Sequence, residues 1–90
     1  MFEIATYVQC VSNNDGTTIL DMRVGQFLAL NRTGAFIWEG LLRGDRFEKI
    51  VEGLAQTTGA NAREVEKDAR EFVQDLMNKG FVIENTQGAV

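Results

Sequence analysis

The run ILDMRVGQFLALNRTGAFIW, residues 19–38, changes its period halfway along. Thr17 to Asp21 and Gln26 to Leu30 are short, apolar-rich and free of proline, and Arg23-Val24-Gly25 makes a tight turn between them, so the first half reads as a β-hairpin. From Arg32 to Leu42 the apolar residues Ala35, Ile37, Trp38, Leu41 and Leu42 share one broad face at helical spacing, with Asn31 or Thr33 placed to cap the start. Phe36 falls off that face.

Working outward, Tyr7 to Val11 is a further strand, joined to Thr17–Asp21 through Asn13-Asn14-Asp15-Gly16, where Asp-Gly is a strong hairpin signal. A three-stranded antiparallel meander is the economical arrangement. Downstream, Asp45 with Glu48 and Asn61 with Glu64 have the spacing of capping boxes, opening helices over about Arg46 to Thr58 and Ala62 to Lys79. Gly80 sits where a helix-ending glycine belongs, and Phe81-Val82-Ile83 is a short apolar tail expected to pack on the body. The expected class is α+β: an N-terminal three-stranded antiparallel sheet followed by three helices, with residues 1–90 forming a single domain.

Composition narrows the chemistry. The 90 residues contain no histidine and one cysteine, Cys10, expected to be a small buried hydrophobe in its strand. The commonest general base and metal ligand is therefore missing, and one thiol makes neither an internal disulfide nor a zinc site. Asp15 and Asp21 read as solvated turn carboxylates. Arg43-Gly44-Asp45 reads as a helix end followed by a cap, and Asn31-Arg32-Thr33 as an unused sequon. There is no phosphate loop, nucleophile elbow or metal spacing. No catalytic activity, cofactor or metal is expected. A net charge of −4 gives duplex DNA little to hold. The N-terminus has no signal-peptide character and no apolar run is long enough for a bilayer, so the expected setting is cytoplasmic, without nucleic acid or membrane as partner.

Two elements look suited to binding. Gln26-Phe27-Leu28-Ala29-Leu30 would be an edge of the meander, yet it carries neither charge nor proline to blunt it, so either another element covers it or it is open to a partner strand. In the third helix, Val65, Ala69, Phe72 and Leu76 form a stripe that Val73 and Met77 extend. Beyond these lie Arg70, Arg63 and Lys67, while Glu64, Glu71, Asp75 and Asp68 occupy the opposite flank. The expected site is Gln26–Leu30 with Val73 and Met77 as an apolar shelf and Lys67 and Arg70 at its rim, suited to an acidic, partly apolar ligand; the alternative is a soluble helix with incidental charge sorting.

The sequence resembles the PqqD-like family. The resemblance rests on Ile19 to Trp38, with its Leu-Asp strand, its Gly-aromatic strand ending in Leu-Asn and its Thr-Gly helix carrying Ile-Trp, and it extends through Ile50–Leu54, Val65–Leu76 and Gly80-Phe81-Val82. It implies a winged-helix-like domain that binds the leader segment of a ribosomally made precursor peptide as an added strand on Gln26–Leu30, closed by the third helix. The wording around Leu30 to Ala35 is similar to stand-alone members of lasso-peptide maturation, which deliver the precursor to a separate leader peptidase or other modifying enzyme. A chaperone for a quinone-cofactor precursor, a winged-helix DNA-binding regulator and a purely structural module are the rival readings. Phe36 departs from the family pattern, which has a polar or basic residue there.

Overall fold

Backbone pairing and capping account for each element of the fold. A computed structural model describes residues 2–14 and 16–84, in the order β1 (Phe2–Ile4), β2 (Val8–Asn13), β3 (Gly16–Asp21), β4 (Gln26–Leu30), α1 (Arg32–Arg43), α2 (Phe47–Thr58), α3 (Ala62–Asn78) and β5 (Val82–Glu84). The expected α+β arrangement holds: β2, β3 and β4 form an antiparallel meander, and three helices follow. Asn13 pairs with Gly16 at the first hairpin, and Thr17 with Leu30 at the far end of the second. Gly25, at φ 72°, closes the β3–β4 turn and donates its N–H to the Asp21 carbonyl at 2.9 Å.

A second, two-stranded sheet was not legible. β1 pairs antiparallel with β5, Phe2 opposite Glu84 and Ile4 opposite Val82, so the apolar tail enters a strand at Val82 and is not merely packed chain. Each strand spans three residues, too short to show a period.

Asn31 caps α1, its Oδ1 accepting from the Gly34 N–H at 2.7 Å, and Gly44 ends the helix at φ 79°. Asn61 caps α3 in the same way, through the Arg63 N–H at 2.8 Å. The expected Asp45 cap of α2 is a correction: the cap position is Arg46, with no side-chain hydrogen bond, and the Asp45 carboxylate pairs with Arg43 at 3.0 Å. A neighbouring cation has taken the carboxylate that the amide nitrogens would have used.

The helices pack on the inward face of the meander around Trp38, Phe81, Ile19, Ile37 and Leu76, all essentially inaccessible to solvent. α1 and α2 approach closely, since a Cβ built on Gly40 would stand 2.6 Å from Ile50 Cγ1. Phe36 finds its place in the same interface, half-buried against Gly53. Leu42, expected on the apolar face, is exposed at the end of α1. Among the described residues no helix is long and apolar enough to cross a membrane.

Candidate functional site

The two faces of the meander differ. Alternation along the strands turns Thr17, Ile19 and Asp21 of β3 and Leu30 of β4 inward, all buried, whereas Leu20 and Phe27, paired across the strands, face outward. Cover on the inward face is incomplete. Gln26 and Cys10 are exposed there and Leu28 is half-buried. The expectation of a buried Cys10 is corrected on this point: β2 is the other edge of the sheet, and its middle overhangs the helices.

Asp21 is likewise corrected. Its carboxylate is buried and accepts from the Arg23 N–H at 2.9 Å, from Arg23 Nε at 3.2 Å and from Arg23 Nη2 at 2.9 Å. These hydrogen bonds to Arg23, the side-chain ones above all, hold the Asp21 carboxyl below its ordinary range against the opposing effect of burial. The Arg23 guanidinium lies 3.8 Å over the Tyr7 ring, and the Tyr7 hydroxyl donates to the Gly80 carbonyl at 2.8 Å. The β3–β4 turn is thereby tied to the end of α3. Asp15 lies outside the described residues.

At the other end of β4, the Phe72 ring lies 3.1 Å from where a Cβ on Gly34 would stand. α3 is therefore anchored at Phe72 to the start of α1, just after β4, and at Gly80 to the β3–β4 turn through Arg23 and Tyr7. The side of α3 that carries the half-buried Phe72 also carries the exposed residues Asp68, Glu71 and Asp75, with Lys79 beyond the helix end paired to Asp75 at 2.7 Å. Among the described residues no strand pairs with the outer edge of β4, so of the two alternatives the open edge is the one observed.

The residues singled out from sequence separate into two groups. Gln26, Phe27, Leu28, Ala29 and Leu30 form β4 as expected, with Phe27 71% exposed. Val73 is only 1% exposed and belongs to the core, so it offers no shelf. Met77 is half-buried on the flank turned away from Phe72, and Arg70 lies on that flank too, 5.0 Å over the Phe47 ring of α2 and paired to Glu66 at 3.0 Å. Lys67 is exposed and shares this basic edge. Phe72 packs against Gly34 in the first turn of α1, whereas Val73 lies in the core and Arg70 lies over Phe47. The helical period separates the two flanks but carries no sign of which one meets α1; the Phe72–Gly34 contact shows that.

Comparison with known proteins follows the same lines. Residues 16–82 match the family described as coenzyme PQQ synthesis protein D (PqqD). A solved structure of TbiB1 in complex with the TbiA(beta) leader peptide matches with a TM-score of 0.88 at 27% identity, covering 93% of this chain and 98% of that one. A lasso peptide synthetase B1 complexed with its leader peptide matches with a TM-score of 0.86 at 24% identity, over 92% and 98%, and at that identity it speaks for the fold alone. No curated protein matches.

Proposed function

The chain belongs to the PqqD family, and on that premise we propose that it binds the leader segment of a ribosomally synthesised precursor peptide along Gln26–Leu30 and delivers it, without catalysing any step, to a separate leader peptidase in lasso-peptide biosynthesis. The observation that carries this reading is the edge of β4: unpaired among the described residues, uncharged, and flanked by Phe72 of α3. An added strand gains main-chain hydrogen bonds there, while the cleft beside α3 supplies side-chain selection. A flexible leader loses entropy on binding, and a preformed edge limits any further loss. Holding the precursor near the enzyme raises its local concentration, which is all an adaptor needs to contribute. The family description names quinone-cofactor synthesis, whereas the structural match at 27% identity is a complex with a leader peptide, which supports leader binding; the lasso assignment rests on the resemblance around Leu30 to Ala35.

Replacing Ala29 by proline tests the reading. Proline removes a backbone donor or distorts the strand, and leader affinity measured by calorimetry is expected to fall about tenfold or more, the equivalent of one or two net hydrogen bonds. Circular dichroism must show the variant folded. A folded variant that binds the cognate leader with unchanged affinity rules out strand addition at this edge.

A further inference from the structure

Phe27 stands in the middle of β4, 71% exposed, on the face of the sheet turned away from the helices. The outward positions around it, Gln9, Val11, Thr18, Leu20 and Ala29, are all uncharged. The solvated face of an antiparallel sheet ordinarily reads polar, so an exposed aromatic on an uncharged face marks a contact surface. The register shows what kind of contact. Gln9, Leu20 and Phe27 form one row across the three strands, with Leu20 half-buried beside the ring. The row ends at Phe27, whose other side borders the position that a strand added to β4 would fill. The next row, Cys10, Ile19 and Leu28, ends in the same way on the inward face.

We propose that β4 reads its peptide on both faces: Leu28 and the α3 cleft take one apolar side chain inward, and Phe27 takes an adjacent apolar side chain, β-branched or aromatic, outward. The proposal rests on the leader-binding reading and adds to it the class of segment accepted. A strand recognised through the cleft alone would alternate apolar with polar. A strand recognised on both faces carries two consecutive apolar residues where it crosses Phe27 and Leu28. Directly opposed cross-strand side chains lie about 4.5–5.5 Å apart, within contact of an aromatic ring.

A random dodecapeptide display library, selected in parallel on the purified wild-type protein and on Phe27→Thr, tests this. Phe27 is largely outside the core and threonine is a good strand former, so the variant is expected to fold. Wild type is expected to enrich peptides with adjacent apolar residues. Phe27→Thr is expected to retain the inward preference, lose the outward one, and bind the wild-type-selected peptides about fivefold more weakly, the scale of one cross-strand aromatic pair. Identical selections from the two proteins overturn the proposal. So does a wild-type selection of strictly alternating peptides; if these protect the β4 amides from hydrogen exchange, the leader-binding reading survives alone. If sedimentation shows that Phe27→Thr converts a dimer to a monomer while selection is unchanged, a second copy covers Phe27 and the proposal fails. Absence of any enrichment on wild type overturns this proposal and the leader-binding reading together.

Discussion

Asp21 and Trp38 are both fully buried, both polar, and treated in opposite ways by the fold. The Asp21 carboxylate is met by three donors of Arg23, which is itself held against Tyr7. Because its folded pKa lies below its ordinary value, the ionised form adds stability that is present above the unfolded pKa of about 4 and is lost as the pH falls through the lower folded value. Thermal melts of the wild type are expected to fall through that acid range, and Asp21→Asn is expected to be less stable at neutral pH and to show a flatter acid limb. An unchanged acid limb in the variant assigns the acid sensitivity elsewhere. Trp38 Nε1, by contrast, is buried with no partner among the described residues. A buried unpaired donor costs about 1–3 kcal/mol, comparable to the packing lost when an indole becomes a phenyl ring. Trp38→Phe is therefore expected to lie within about 1 kcal/mol of wild type in denaturant unfolding, while Trp38→Ala, which leaves a cavity, is expected to cost about 3–5 kcal/mol. Neither residue's role could be read from its neighbours in the chain, since Asp21 is enclosed by a network reaching to Gly80 and Trp38 by helices that follow it.

Elements with a period of their own were legible before the structure. The meander, its two turns and the three helices follow from alternation, Asp-Gly and Gly signals, and helical spacing in Tyr7–Leu42, Arg46–Thr58 and Ala62–Gly80. The β1–β5 pair was not, because each strand is too short to show a pattern and the pairing joins the two ends of the described chain. Capping was legible at Asn31 and Asn61 but not at Asp45, where ion pairing with Arg43 competes with the cap. Element packing also decides the sign of a substitution that propensity alone gets wrong. Gly40 lies in mid-α1, where alanine would ordinarily add about 1 kcal/mol of helix stability. Here the new methyl would stand 2.6 Å from the buried Ile50 side chain, and overpacking of that kind costs about 1–3 kcal/mol. Gly40→Ala is expected to lower stability by about 1 kcal/mol in urea unfolding. A stabilised variant would mean that the α1–α2 interface relaxes more easily than its packing implies.

At the scale of the whole molecule, charge rather than hydrogen bonding decides which peptides reach the cleft first. The chain carries a net charge of −4, and α3 sorts its own charges: Arg70 lies over Phe47 with Arg63 and Lys67 on the same side of the helix, while Asp68, Glu71 and Asp75 lie on the side that carries Phe72. Of these three carboxylates, Asp75 is paired with Lys79. Like charges at helical spacing repel one another by a few tenths of a kcal/mol, a small penalty that a cation in the cleft would relieve. The sequence showed this sorting, and the basic edge with Lys67 and Arg70 is the rim it suggests, but a helical wheel has no fixed direction toward the sheet. With the acidic edge at the cleft, lysine- or arginine-bearing leaders are expected to associate fastest. Exposed charges act mainly on encounter and are screened over about 10 Å at 0.1 M salt, so the association rate of a cationic leader measured by surface plasmon resonance is expected to drop several-fold, on the order of three to ten times, between low and high ionic strength. The double variant Asp68→Asn, Glu71→Gln is expected to flatten that dependence and to leave dissociation nearly unchanged, because neither side chain is buried. Arg70→Glu on the far flank is expected to have little effect beyond its change in net charge. If instead acidic peptides associate faster, and Arg70→Glu slows them while the double variant does not, the docking edge is the one formed by Arg63, Lys67 and Arg70, and the peptide enters from the α2 side of the helix.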